Sequence, residues 1–480
     1  MARIIVLILL FFQITHPAFC EEKIPGKTEV MRVTPKDIVL LALKNNRTIN
    51  AAHLDRKTQK FDLKVAEDKF NPDLTIETGP EYSAERDDLS RSSVVGVSIT
   101  PTVTLKIPTG GQFQYSWANS INEEMVSSSS APTTFDTSMS LSFTQPLLKG
   151  GGVDVNTASI NIAQIEEEIN KSILKETLIE TITSAILSYR TLLQAHRQIE
   201  INELSLQRAK DLLNVNKNMV DVGRMAKLEI IQAETDVASR ELDLVVAQND
   251  LEAARLSLIT TLDIQKNSQV VPVEKLEIHP VELDESRLVD IALTNSPAHL
   301  QTLVQVDIAE LNLLLAKNNR LWDLAVTGSY GTSGTQKKFG SAVSDLFDTY
   351  SWDASLLLSI PFGDFTLEQA VVSSSINVEK AKINLKETRE NIEINVQDKI
   401  RNVKVNIRRV GLAEKTRELS EKKLEVEKLK LNMGRTSNFQ LVTFQNDLVT
   451  AQNNELNARI SYLNSLTSLD QVLGTTLDTW

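Results

Sequence analysis

The side chains with catalytic or metal-binding potential are few and widely separated in this 480-residue sequence. Lysine and three glycines at 149–152 precede a helical segment, but Val153-Asp154 follow where a phosphate-binding loop needs Gly-Lys-Ser/Thr leading into the helix. The sequences His-Glu-x-x-His and Gly-x-Ser-x-Gly are absent. Histidines that follow the N-terminal segment are not at metal-ligand spacing, namely His53, His196, His279 and His299. We therefore expect no catalytic residue, no metal site and no cofactor.

Two glycine turns are better candidates for a functional site. Val222-Gly223-Arg224 and Met433-Gly434-Arg435 each separate two helical segments. Glycine at such a place is typical of a helix end with a left-handed residue in the cap. Because the turn occurs twice and an arginine follows each glycine, we expect these tips to contact a partner as well.

The elements that position these turns are also present twice. The run from Ala42 to Asn46 returns as Ala292 to Ser296, and Asp73-Leu74 returns as Asp323-Leu324. A long-period repeat of this kind determines the architecture. We predict a first repeat at 21–271, with helix 36–69, β segment 73–146, long helix 154–221 and returning helix 227–263. The second repeat, 272–480, is predicted to have helix 284–319, β segment 322–361, long helix 366–433 and returning helix 437–473.

The β segments and the helices differ in their hydrophobic period. Apolar residues alternate with polar ones in runs such as Leu74, Ile76 and Thr78, which indicates strands with one apolar face. The first β segment has room for about four strands. In the predicted long helices apolar residues recur every seven residues instead, and this heptad repeat predicts coiled-coil packing. One such series is Val405, Leu412, Leu419, Val426 and Met433. A second apolar line beside this one, beginning at Val396, predicts a wall of helices with a neighbour on each side.

Composition and the N-terminus restrict the class of protein further. A net charge of −12, without a basic patch, argues against nucleic-acid binding. Residues 1–20 resemble a secretory signal peptide, with Arg3 before the apolar stretch and a cleavage site at 18–20. Two interpretations of Cys20 stay open, removal with the signal peptide or lipid modification. No later segment has the roughly 20 apolar residues of a membrane helix, so any membrane crossing must use strands.

The duplicated plan resembles the TolC-like outer membrane efflux proteins. The residues that carry this resemblance are the two glycine turns, Phe143 to Leu147 at a strand end, and the closing Leu473-Gly474. The resemblance implies a mostly α fold with a β-barrel part, in which long coiled-coil hairpins form an α-barrel tunnel. Strands of three identical protomers would share one transmembrane β-barrel in outer-membrane lipid, above a periplasmic tunnel. The implied partners are a periplasmic adaptor protein and an inner-membrane transporter of the RND or ABC type.

The resemblance also assigns roles to individual residues. Gly223 and Gly434 would mark the hairpin tips, with Arg224 and Arg435 as candidates for adaptor docking or gating ion pairs. Glu229 is expected to pair with one of these arginines. Well-known members of the family carry acidic residues shortly after the second tip, where this chain has Gln440 and Thr443 as candidates to line the entrance. An acidic, cation-binding entrance is therefore not expected.

Three functional interpretations stay open at this stage. The tunnel would conduct substrates passively, as the outlet either of a tripartite efflux system or of type I protein secretion. A different class is a secreted or surface coiled-coil protein with a structural or adhesive role. That class accounts for the heptads but not for the paired amphipathic β segments.

Overall fold

A computed structural model describes residues 30–86, 91–126, 129–130, 133–274 and 276–480. The predicted signal peptide at 1–20, including Cys20, lies outside the described residues. The elements of the first repeat are β1 (Val30–Val33), α1 (Pro35–Asn45), α2 (Arg47–Glu67), β2 (Asp73–Arg86), β3 (Arg91–Lys106), β4 (Gln112–Val126), β5 (Ser129–Ser130), β6 (Thr134–Pro146), α3 (Val153–Asp221) and α4 (Leu228–Leu262). The elements of the second repeat are β7 (Gln269–Pro272), α5 (Glu285–Asn295), α6 (Pro297–Asn319), β8 (Asp323–Gln336), α7 (Phe339–Ser344), β9 (Tyr350–Ser359), α8 (Phe365–Asn432), α9 (Asn438–Leu473) and α10 (Thr476–Thr479).

The long helices α3 and α8 contain 69 and 68 residues. At 1.5 Å per residue each is on the order of 100 Å long. Their bounds differ by one residue at most from the predicted 154–221 and 366–433. Asp364 caps the start of α8 by accepting a hydrogen bond from the backbone N–H of Thr366 at 2.9 Å.

The prediction of one continuous helix at 36–69, and of another at 284–319, is wrong. Each segment is divided into two helices, at Asn46 and at Ser296. Asn46 has extended backbone angles, φ −60° and ψ 130°, and caps α2 by accepting a hydrogen bond from the N–H of Thr48 at 2.8 Å. Ser296 has similar angles because Pro297 disfavours a helical conformation in the residue before it. Each break falls on the last residue of the duplicated motif, which therefore marks a corner between helices.

Each corner lies against the end of a returning helix. The side-chain amide of Asn46 donates to the carbonyl of Thr261, near the end of α4, at 2.8 Å. In the second repeat, Gly474 ends α9 with φ 70°, and a Cβ there would lie 2.7 Å from the carbonyl oxygen of Asn295. Glycine is required at this position both by its left-handed backbone and by the close approach of the corner.

A short parallel pair of strands, which the sequence analysis missed, joins the two repeats. β1 pairs with β7, with Val30 opposite Gln269 and Val33 opposite Pro272. Since both strands precede the first helix of a repeat, the second repeat begins before β7. The predicted boundary between 271 and 272 is therefore wrong, because it falls inside a strand.

The helices form a wall whose members change along its length. On the side of the β segments, α2 packs on α3, α3 on α6, and α6 on α8. Toward the glycine turns the order is α4, α3, α9 and α8. Two buried clusters lie between, one around Tyr189 and Leu192 and the other around Val396 and Tyr462. In the described part of the chain, no helix combines the length and apolar character needed to cross a membrane.

The wall ends in two apolar edges. On α8 the row of apolar side chains that begins at Val396 is buried. The second apolar row on this helix is exposed, and the side chain of Leu412 in it is 68% exposed. This exposed line is the predicted heptad series of Val405, Leu412, Leu419, Val426 and Met433. On α4 a second set is exposed, namely Leu228, Ile231, Leu242, Val245, Val246 and Leu256. Within the described chain no other helix covers these apolar side chains of α4 and α8.

The β segments of both repeats form one antiparallel sheet in the order β2-β3-β4-β6-β8-β9, with β5 beside β4. The pairing of β6 with β8, for example Leu141 opposite Tyr330, joins the two repeats. One face is apolar and exposed, as at Trp352, which is 72% exposed. The other face is rich in serine and threonine, and Ser116 and Ser140 form a hydrogen bond of 2.8 Å there. Alternation of this kind suits lipid on one side and water on the other.

Candidate functional site at the two hairpin tips

The two glycine turns have the same backbone geometry. At the first tip, the N–H groups of Gly223 and Arg224 donate to the carbonyls of Val220 and Met219 at 2.9 and 2.8 Å. At the second tip, Gly434 and Arg435 donate to Leu431 and Lys430 at 2.9 Å each. These pairs of bonds define a Schellman motif, which needs a left-handed residue; φ is 71° at Gly223 and 70° at Gly434.

Arg224 and Arg435 both project from the tips into solvent. Both side chains are exposed, and neither guanidinium forms an ion pair or side-chain hydrogen bond with the described residues. An exposed arginine has five N–H donors in a planar arrangement that matches carboxylates. The tips therefore present two cations that are available to groups outside this chain.

The ion pair predicted between Glu229 and one of these arginines is not formed in the described chain. Glu229 lies in the first turn of α4, half-buried, and its Oε2 is buried without a hydrogen-bond partner. Its backbone carbonyl is the part that makes contacts, since it accepts from the side-chain amides of Asn216 and Asn438 at 3.5 Å each. Because Asn438 belongs to α9, this one carbonyl connects the two tips.

The second tip has an additional clasp that sequence reasoning missed. Glu427, which is 5% exposed, accepts a hydrogen bond from the hydroxyl of Thr436 and pairs with Lys430 at 3.1 Å. The hydrogen bond from Thr436, and to a lesser degree Lys430, holds the pKa of Glu427 below its ordinary value. This clasp ties the end of α8 to the turn that follows it. At the position equivalent to Glu427 the first tip has Asn216, whose side chain is fully buried.

Gln440 and Thr443 lie in the first turns of α9, half-buried. The N–H of Gln440 donates to the hydroxyl of Ser437, which caps the helix, at 3.3 Å. The hydroxyl of Thr443 donates to the carbonyl of Phe439 at 2.9 Å. Neither residue brings a charge to this part of the tip.

Exposed apolar side chains surround the two arginines in matching positions. Val222 and Met433 precede the glycines and are 66% and 65% exposed. Five residues after each glycine, Leu228 and Phe439 are also exposed. Each tip therefore combines a cation with two apolar contacts, a composition that fits a protein partner. In the sequence, this arrangement is visible as apolar residues at the same spacing before and after each of the two Gly-Arg pairs.

A buried polar cluster lies far from the tips, where the end of α9 meets α3. Arg190 is 3% exposed and donates to the hydroxyl of Thr467 at 2.7 Å. Burial lowers the pKa of Arg190 and raises the pKa of Glu274 and Asp470. The Arg190 guanidinium also lies 6.0 Å from the ring centroid of Trp480. This cluster holds the C-terminal segment on the helical wall, and none of its members was predicted.

The described residues do not bring together three or more His, Cys, Asp or Glu side chains in a way that could hold a metal ion. The molecule instead combines an amphipathic sheet, helices on the order of 100 Å long and two exposed tips. That combination defines a membrane channel extended by a helical tunnel.

Comparison with known proteins agrees with this class. Residues 112–262 and 288–475, more than half of the chain, match the outer membrane efflux protein family, and the chain belongs to that family. No curated protein matches the chain in a sequence search. Three solved structures with similar folds are the CmeC outer membrane channel of Campylobacter jejuni (TM-score 0.70, 14% identity, 92% of this chain and 86% of that chain), VceC of Vibrio cholerae (0.67, 15%, 92% and 96%) and the open state of the MtrE outer membrane channel of Neisseria gonorrhoeae (0.65, 15%, 92% and 89%).

Membership in this family confirms the predicted fold class, with long helical hairpins for an α-barrel tunnel and strands for a shared transmembrane β-barrel. It also confirms the outer membrane as the location, with the helical tunnel in the periplasm, and a role as an efflux channel. The other class that the sequence left open, a secreted or surface coiled-coil protein with a structural or adhesive role, does not account for the amphipathic sheet.

Proposed function

We propose that three copies of this chain form an outer-membrane channel-tunnel that conducts substrates passively to the exterior. A periplasmic adaptor protein docks at the tips Gly223-Arg224 and Gly434-Arg435, and an inner-membrane transporter of the RND or ABC type supplies the energy. The observation that carries the proposal is the duplicated tip, with the same Schellman turn and the same exposed arginine at both hairpins.

The apolar edges of the wall support self-association. The exposed heptad line of α8 and the exposed apolar set of α4 lie on the first and last helices of the order α4, α3, α9 and α8. A row of exposed apolar side chains on a helix that lies in water is typical of a protein–protein interface. If α4 of one copy packs on α8 of the next, both edges are covered, and the proposed three copies form a closed ring.

The tips support docking of an adaptor and control of the entrance. The unpaired guanidinium groups of Arg224 and Arg435 suit carboxylates on a partner, and the apolar residues beside them supply area to bury. When an adaptor engages both arginines, we expect the contact between Asn438 and the carbonyl of Glu229, which connects the tips, to change. Gln440 and Thr443 line the entrance without adding charge.

The same tunnel serves drug-like substrates or a secreted protein, depending on the transporter below it. Efflux is the function we favour, because the matched family is that of efflux proteins. A type I secretion role is the second candidate, and the adaptor and transporter encoded beside this chain distinguish the two.

Charge reversal at both tips tests the proposal. The double variant Arg224→Glu/Arg435→Glu should purify as a trimer, because both side chains are exposed and unpaired, but should change single-channel conductance or abolish co-purification of the adaptor. The matched control is Lys36→Glu, a reversal at an exposed cation on α1, away from both tips. A trimer with unchanged conductance and unchanged adaptor binding would show that the arginines have neither role.

A further inference from the structure

The sheet of this chain is wider than the part that the family pattern covers. The match to the family begins at Gln112, which is the first residue of β4. The β2–β3 hairpin precedes that residue, yet it is joined to the sheet along its length. β2 pairs with β3 from Asp73 opposite Thr104 onward, and β3 pairs with β4 from Lys106 opposite Gln112 to beyond Val97 opposite Ile121. The hairpin is therefore part of the sheet and not an appendage.

The hairpin continues the apolar face of the other strands. Residues directly opposite each other in antiparallel strands have side chains on the same face. One such row crosses all six strands and is apolar or aromatic throughout: Leu74, Val103, Tyr115, Leu141, Tyr330 and Trp352. The alternation of β2 and β3 is thus in phase with that of β4, β6, β8 and β9. A lipid-facing surface is the environment that accepts this row.

The opposite face of the hairpin needs water. On β2 it carries Asp73, Glu77 and Glu81, all exposed, and on β3 it carries Thr100 and Thr102. Carboxylates within a membrane are tolerated when they face an aqueous lumen. A hairpin lying outside a closed barrel would have lipid on both faces. Only a place in the barrel wall satisfies both faces of the hairpin at once.

The two outer strands leave the sheet with open edges. In the described part of the chain β2 pairs only with β3, and β9 pairs only with β8. Open edges are not tolerated in lipid, because their backbone N–H and C=O groups have no water to bond with. β2 and β9 run antiparallel to each other across a junction between copies, because β2 leaves the helical part and β9 returns to it. Their lengths, 14 and 10 residues, are sufficient for membrane-spanning strands.

We propose that β2 of one copy pairs with β9 of the next, so that three copies with six strands each close an 18-stranded barrel. This inference rests on the trimer of the proposed function. The β2–β3 hairpin then forms the junction between copies and places a column of carboxylates, Asp73, Glu77 and Glu81, in the lumen. With β2 and β3 outside the wall, β9 would pair with β4 of the next copy instead.

Paired cysteines distinguish the two junctions, because Cys20 is the only cysteine in the chain. Ser355→Cys on the polar face of β9 is combined in turn with Asp73→Cys, Thr75→Cys or Glu77→Cys on β2. The matched series combines Ser355→Cys with Gln112→Cys, Gln114→Cys or Ser116→Cys on the same face of β4. Each protein is oxidised in membranes, then purified in detergent for native mass spectrometry and non-reducing electrophoresis. The wild-type chain shows any crosslinking through Cys20.

We expect a crosslink between copies for at least one β2 position and none for β4. A trimeric mass with crosslinks only to β4, or with none to β2, overturns the 18-stranded barrel but leaves the proposed function intact. A mass that is not trimeric in the wild-type chain contradicts the proposed function itself. Electron cryomicroscopy of the wild-type trimer counts the strands without any substitution. A count of 12 in the wall also overturns the inference.

Discussion

The two repeats bury different chemistry at equivalent positions. In the first repeat, Arg56 of α2 donates two hydrogen bonds to the carboxylate of Glu167 on α3, and both residues are at most 9% exposed. The duplicated motif that aligns Ala42 with Ala292 makes Val306 of α6 the equivalent of Arg56. The duplicated tip that aligns Gly223 with Gly434 makes Val378 of α8 the equivalent of Glu167. Both valines are also buried. The α2–α3 interface therefore contains an ion pair where α6 and α8 contribute two buried valines.

This difference indicates that helix packing at this level does not depend on the charge pair. Removing two charges from water is costly, and a buried pair often contributes no more stability than apolar residues of similar volume. The buried valines of the second repeat show that apolar side chains can occupy these positions in the helical wall. We infer that the Arg56–Glu167 pair fixes the register of α2 on α3, next to the strands that α2 and α3 position.

Breaking this pair should have the largest effect on stability. Arg56→Ala leaves Glu167 buried without its partner, and we expect a loss of about 3–5 kcal/mol in the free energy of unfolding. The double variant Arg56→Met/Glu167→Leu should be within about 1 kcal/mol of the wild type, or more stable. Guanidinium unfolding of the detergent-purified protein, followed by circular dichroism, measures both. A double variant as unstable as Arg56→Ala would mean that the seam needs the charges.

The long helices and the strands were predictable because their signals are local and repeated. Proline stops, heptads and period-two alternation located α3, α8 and the β segments from the sequence. The corners at Asn46 and Ser296 were missed because hydrophobic periodicity continues across a single extended residue. The buried Arg56 was missed for a related reason, since an arginine in a polar helix is normally read as exposed.

The candidate site was predictable in its backbone but not in its side-chain partners. A glycine between two helices predicts a left-handed cap, and both tips have one. The clasp of Glu427 with Thr436 joins residues on either side of the turn, and its geometry depends on how that turn folds back. Proximity in sequence suggested an ion pair for Glu229, but its carboxylate lies half-buried in the first turn of α4.

Alanine at the tip glycines should have an intermediate and equal effect in both repeats. A Cβ at Gly223 or Gly434 would meet no atom within 4 Å, so the cost comes from the left-handed backbone alone. We expect Gly223→Ala and Gly434→Ala each to destabilise their own tip by roughly 1–2 kcal/mol, about tenfold in hydrogen-exchange protection of the turn. Gly411→Ala, in the middle of α8 and also without a close neighbour, is the control. Unequal losses at the two tips would show that one turn is strained by its surroundings.

The smallest expected effect is a pH response confined to the second tip. Because the folded pKa of Glu427 is lowered, its contribution to stability is present above the ordinary value of about 4.3 and is lost as the pH falls through the folded pKa. A spin label at Met433 should therefore become more mobile when the pH is lowered from 7 through the folded pKa of Glu427, below its ordinary value, while a label at Val222, beside the equivalent Asn216, should not. In Glu427→Gln the label at Met433 should be mobile already at pH 7 and insensitive to acid. Equal responses at both labels would mean that acid acts on the assembly as a whole and not on the clasp.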